Sequence, residues 1–208
     1  MAPELGLRER KKQRTRQLIA DTAWRLFAER GFDEVPVAEI AREAEVSEAT
    51  VFNYFPTKED LVFKRMEAFE EELLAAIRDR PQGESIVAAF GRFVLRPRGF
   101  LGSDDPAATE GMRSAARVMT GSPALLARQR EILDRYTSTV ASLIADERDM
   151  SADDPEAWVA ANALIGVHRA LLTYIHRQAL DGVPNRRIAR NLVTHGKRAL
   201  AILEQGIE

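Results

Sequence analysis

Apolar positions along this chain recur at intervals of three and four, and no segment alternates with period two over a useful length, so the pattern predicts helices and no sheet. Ile19, Ala23, Leu26 and Phe27 fall at i, i+4, i+7 and i+8, one face of a helix over about 10–30 that Gly31 ends as a C′ glycine does. Val37, Ile40, Ala41 and Ala44 repeat the spacing after Pro36, which suits a first helical turn, and predict a short helix over about 37–43. After a three-residue turn Ser47 is a good N-cap for a third helix, which Pro56 ends. In that helix Val51 and either Tyr54 or Phe55 face inward, while Glu48, Ala49, Phe52 and Asn53 face outward.

Thr57 is placed to cap a longer helix from Lys58 to about Asp79. Ile86, Ala89, Phe90, Phe93 and Val94 make the next apolar stripe, followed by the irregular stretch RPRGFLGSDD. Three Pro-initiated helices are then expected: Pro106 to about Thr120, Pro123 to about Asp149 and Pro155 to about Leu180. Gly182 and Pro184 separate the last of these from a final helix ending near Gln205. The expected fold is all-α, with nine helices. Residues 1–57 are read as one unit and 58–208 as a second, larger helical one.

Three short helices, the last carrying Phe52-Asn53-Tyr54-Phe55, have the layout of a helix-turn-helix reader of duplex DNA. Charge supports this by its distribution, not its sum. The net charge is −2, and residues 1–65 hold twelve basic and twelve acidic side chains. Yet Arg8, Arg10, Lys11, Lys12, Arg14 and Arg16 are opposed locally only by Glu9, forming a basic arm placed to reach phosphates or an adjacent groove.

Other classes of function fall away. The 208 residues, 45% of them hydrophobic, suffice for a sizeable core, and the lack of cysteine removes disulfides, thiolate metal sites and a cysteine nucleophile. His168, His176 and His195 show no metal-ligand spacing, and neither G-x-S-x-G nor a glycine-rich phosphate loop after a strand occurs. Neither catalysis nor a cofactor or metal is expected. The amino terminus lacks the apolar core of a signal peptide, and no stretch approaches the roughly 18 apolar residues of a membrane span. A cytoplasmic protein is expected, with no membrane partner.

The first 65 or so residues resemble the TetR family of bacterial transcriptional regulators. Leu26-Phe27, Gly31-Phe32, Val37 with Ile40-Ala41, Val46-Ser47, Thr50, Phe52, Tyr54-Phe55 and Lys58-Glu59 with Leu61 carry the similarity. The resemblance implies three amino-terminal helices plus a six-helix ligand-binding and dimerisation domain, a homodimer, and repression relieved by a small molecule. It also implies phosphate contacts for Thr50 and Tyr54, with Lys58 against the DNA backbone. Three positions depart from the family pattern: Val35-Pro36 replaces a hydroxyl pair before the second helix, Glu45 stands at a turn position where glycine is common, and Phe52 replaces a tyrosine.

The expected DNA-binding set is therefore Arg14, Thr50, Tyr54 and Lys58 for the backbone, with Glu48, Ala49, Phe52 and Asn53 for the groove, Ser47 capping their helix. Asn53 matches adenine, Glu48 can accept from cytosine N4, and Phe52 can meet a thymine methyl. Phe55 is read as packing. A two-fold dimer is expected on a palindromic operator, since one reader covers only a few base pairs.

In the second unit, Leu164, Val167, Leu171 and Ile175, with Ile188, Leu192, Ala199, Leu200 and Leu203, form stripes expected to pair with their copies in a four-helix bundle at a subunit interface, since two DNA readers are needed, the alternative being the intrachain core alone; Ala163, Gly166 and Ala170 permit close approach. The candidate effector residues are Phe90, Phe93, Phe100, Met112, Met119, Tyr136 and Trp158, with Arg113, Asn162 and His168 as polar groups. Arg113 and His168 suggest an anionic or carbonyl-bearing effector. Two rivals to a regulator are an enzyme, which no motif supports, and a helical interaction module without specific DNA binding, which Glu45 and Glu48 would suit.

Overall fold

The computed structural model describes residues 6–63 and 67–205, and among them ten α-helices and no strand. They are α1 (Leu7–Arg30), α2 (Val37–Glu43), α3 (Glu48–Tyr54), α4 (Asp60–Phe63), α5 (Glu67–Arg78), α6 (Ile86–Val94), α7 (Pro106–Gly121), α8 (Pro123–Glu147), α9 (Pro155–Leu180) and α10 (Asn185–Gln205). A 3-10 turn, Gly99–Gly102, occupies the irregular stretch after α6. The helix expected over 58–79 is described as α4 and α5, its residues 64–66 lying outside the described residues.

Helix starts follow the side chains that satisfy first-turn amides. Ser47, Ser85, Asp105, Ser122 and Asp154 accept from Thr50, Ala88, Ala107, Leu125 and Glu156 backbone N–H groups, capping α3, α6, α7, α8 and α9 respectively. Proline follows the cap in α7, α8 and α9, where its missing N–H costs nothing.

Helices α1 to α3 enclose a small core of Ile19, Ala23, Leu26, Phe27, Phe32, Val35, Ile40, Val51 and Phe55, all buried. Arg30 to Glu39 at 2.7 Å and Arg25 to Glu43 at 3.2 Å link α1 to α2 at the rim. Glu45 lies in the left-handed region, φ 54°, because the Glu45 and Val46 amides turn back to the Arg42 and Ala41 carbonyls as a Schellman motif. A side chain in this conformation costs about 1–2 kcal/mol, partly offset by the greater chain entropy of glycine. Glu45→Gly is expected to raise stability by about 0.5–1 kcal/mol in chemical denaturation; a loss of stability would show that the Glu45 side chain has a compensating role.

In the larger unit α9 is packed by α7, α8 and α10, while α5 and α6 pair beside them. The stripes Leu164, Val167, Leu171 and Ile175, and Ile188, Leu192 and Leu200, are buried inside the single chain. Ala199 and Leu203 are half-buried against the same core. The apolar faces thus serve intrachain packing, because α9 and α10 each need a buried stripe simply to stay on α6, α7 and α8. Gly166 and Ala170 are exposed on the opposite face of α9, and Ala163 is half-buried.

Polar contacts hold α8 against the elements around the boundary between the units. Ser122 Oγ, besides capping α8, donates to Asp33 Oδ1 at 2.7 Å, and Arg128 on α8 reaches Asp60 on α4 at 3.4 Å. The loop after α1 and the start of α4 are thereby both tied to α8.

Candidate nucleic-acid interface

Helix α3 is short, seven residues, and is held from one side only. Val51 and the following Phe55 are 1% and 2% exposed and anchor it on α1 and α2, whereas Phe52 is 45% exposed despite being aromatic. Glu48, Ala49 and Asn53 are exposed beside Phe52, as the helical period requires once Val51 is buried. Thr50 and Tyr54 are half-buried on the flank, with the Thr50 and Ser47 hydroxyls 2.8 Å apart. Tyr54, not only Phe55, packs against the core.

Helix α1 begins at Leu7, three residues before the expected start, so the basic arm is helical. Arg8, Lys11, Lys12 and Thr15 then share one face and, with Glu9, wall a cleft of about 780 Å³ whose other wall is Thr50, Asn53 and Tyr54 of α3. Arg8, Lys11 and Lys12 were visible only as part of a charge run; their grouping depends on helix continuing to residue 7. Arg14, the arm residue assigned to phosphate from sequence, is exposed but does not line the cleft. Arg16 turns inward, its guanidinium 5.8 Å from the Phe55 ring.

Lys58 is placed differently from its neighbours. Its Nζ donates to the Phe32 carbonyl at 2.6 Å and stands 4.3 Å from the Phe32 ring centroid and 5.8 Å from that of Phe27. Burial lowers its pKa, Asp33, Glu59 and Glu34 acting in the opposite sense. The ammonium thus ties the start of α4 to the loop after α1.

The candidate effector residues do not form one group. Phe90, Phe93, Met119, Tyr136 and His168 are buried, and Met112 is partly so. Trp158 and Asn162 lie on the surface instead: the indole donates to the Ala152 carbonyl at 3.1 Å, and the Asn162 amide bonds back to the Trp158 carbonyl at 2.8 Å. Their helix positions fall on the outer face of α9, so spacing alone grouped them with the core. Arg113 pairs with Glu110 at 3.5 Å and sits beside Gly182. Gly182 lies just past the end of α9, fourteen residues beyond His168 and roughly 20 Å away by helical rise, so Arg113 does not meet His168. Phe100 leans over Gly111 at a cavity of about 230 Å³ between α1 and α7. The charged group that does approach His168 is Arg98, in the irregular stretch after α6.

Residues 19–64 match the family described as bacterial regulatory proteins, tetR family, and residues 100–206 match the MftR C-terminal domain, so the second match alone spans more than half of the chain. The HTH-type transcriptional regulator TcmR of Streptomyces glaucescens is 32% identical over 155 residues, 72% of this chain and 67% of the relative. This chain belongs to the TetR family. Among solved TetR-like folds, NalD of Pseudomonas aeruginosa, the secondary repressor of the MexAB-OprM multidrug efflux pump, aligns over 90% of this chain and 97% of its own at TM-score 0.58 and 17% identity. FadR of Bacillus subtilis, solved with stearoyl-CoA, aligns over 92% and 99% at TM-score 0.57 and 18% identity. The family assignment makes α2 and α3 the helix-turn-helix and the chain a transcriptional regulator with a DNA-binding domain. Among the described residues no helix is long and apolar enough to cross a membrane.

Proposed function

We propose that two copies of this chain form a cytoplasmic repressor that reads a palindromic operator through α3 and leaves it when the larger helical unit, residues 58–208, takes up a small molecule. The observation that carries this is the exposed face Glu48, Ala49, Phe52 and Asn53 standing beside a cleft walled by Arg8, Lys11 and Lys12. Base-edge and phosphate contacts are thereby available from adjoining surfaces. Ser47 holds α3 in place by its cap, Thr50 and Tyr54 bind phosphate at the cleft, and Arg14 adds charge alongside. Lys58 belongs to the scaffold first, because one of its three donors is already given to Phe32. The exposed small residues Gly166 and Ala170 on α9 support close approach of a second copy. Response to an effector is supported by the match of residues 100–206 to the MftR C-terminal domain and by the FadR neighbour solved with stearoyl-CoA.

Selection of random duplexes by the purified protein tests the reading. A palindrome with half-sites spaced by roughly 34–36 Å, or a multiple, is the expected product. Recovery of no consensus, with only salt-sensitive binding, would favour a helical interaction module instead. On the selected duplex, Lys12→Ala is expected to reduce the slope of log affinity against log salt by about one unit while leaving sequence preference unchanged. An unaltered slope would remove Lys12 from the phosphate contacts.

A further inference from the structure

Helices α6, α8 and α9 bring three rings around Phe69 of α5. His168 lies parallel to it, 5.1 Å between centroids with planes 17° apart, and Tyr136 is parallel at 6.1 Å and 20°. Phe93 closes the edge at 5.1 Å and 62°. The Phe69 ring, only partly buried, thus fills a flat slot against the imidazole and the phenol.

Two polar groups at this slot are unmatched. His168 is 6% exposed, and its buried Nε2 has no hydrogen-bond partner. Leaving a buried polar atom unpaired costs free energy, so such an atom in a core calls for a role. Burial and, secondarily, Arg98 push the pKa of His168 down to about 4, so the imidazole is neutral near pH 7. Arg98 packs its guanidinium 3.7 Å from the Phe93 ring centroid and 5.7 Å from that of Phe69. Among the described residues it makes no side-chain hydrogen bond or ion pair, although Glu72 acts on it electrostatically from beyond ion-pair distance. A partly desolvated guanidinium with free donors is suited to a carboxylate, which it grips in bidentate fashion.

We propose that this slot is the effector site of the regulator proposed above and that it takes a small planar aromatic carboxylate. The ligand's ring replaces that of Phe69 against His168 and Tyr136, its carboxylate meets Arg98, and a hydroxyl on the ring meets His168 Nε2. Displacing Phe69 acts on α5, which Glu70 ties to Arg135 of α8 at 3.0 Å and which follows α4 in the chain; α4 in turn packs on α1 of the DNA-binding unit. Entry of the ligand thus pushes on the helices that aim α3.

Calorimetry on the full chain, without DNA, tests the site with salicylate and benzoate as probes and benzamide and hexanoate as controls. The expected result is binding of the two aromatic acids, weakened at least about tenfold by Arg98→Met, weakened for salicylate by His168→Leu, and not weakened by Phe69→Ala, which vacates the slot. No heat from either acid, equal affinity in Arg98→Met, or equal binding of hexanoate would overturn the proposal. The same variants on the selected duplex separate this from the regulatory reading. Intact operator recognition without acid binding defeats the site alone, and acid binding that leaves DNA affinity unchanged defeats the effector role.

Discussion

A Phe27→Ala protein is expected to lose about 3–5 kcal/mol of stability, the range for truncating a fully buried aromatic side chain. Phe27 is 0% exposed, and its ring lies 5.0 Å from that of Phe32, whose carbonyl and face hold Lys58. Removing it opens a cavity where α1, the loop after it and the start of α4 meet, in a unit whose core consists of only three helices, two of them seven residues long, and that loop. Since whole domains are stable by only about 5–15 kcal/mol, the loss is a large fraction of the total. In urea the unfolding midpoint is expected to fall, and operator affinity is expected to drop although no DNA-facing residue has changed. A loss below about 1 kcal/mol would show that the site collapses to fill the void, contrary to the packing described.

Acid is expected to weaken the protein well before its carboxylates titrate, through His168. Its folded pKa, about 4, lies below an ordinary 6.5 owing first to burial and then to Arg98. Because the unfolded chain takes up the proton first, stability is unaffected above pH 6.5, falls as the pH drops from 6.5 to 4, and loses nothing further from this group below that. The two values differ by 2.5 units, equivalent to about 3 kcal/mol across the window. His176, whose pKa burial also lowers, adds to the effect with the same sign. Melting curves of the wild type and His168→Leu between pH 7 and 4.5 should diverge, the variant declining less steeply. Parallel declines would show that His168 gains compensating contacts when protonated.

The helices were legible from the sequence because their ends are written in side chains: Ser47, Asp105, Ser122 and Asp154 accept first-turn amides, and Pro106, Pro123 and Pro155 follow three of those caps. The outward face of α3 was legible for a similar reason, since burying Val51 and Phe55 leaves Phe52 and Asn53 outside. The face of α1 that walls the cleft was not, because a run of arginine and lysine is equally compatible with an extended arm, and only helix from Leu7 onward aligns Arg8 with Lys11 and Lys12. Periodicity also failed to separate Trp158 from core residues, since an indole on an outer face has the same spacing as one inside. Arg98 escaped notice because irregular segments carry no period from which a direction can be read, and its partner rings come from α5 and α6.

The corner at Ser122 sets a rule for building chimeras. That hydroxyl has one proton, given to Asp33, while its lone pair serves the Leu125 amide, so a single side chain both starts α8 and fastens it to the DNA-reading half. Alanine there severs the two connections together. Grafting the first sixty residues onto a foreign helical domain therefore keeps this fastening only when the recipient offers a hydroxyl at the junction and the donor brings its own Asp33.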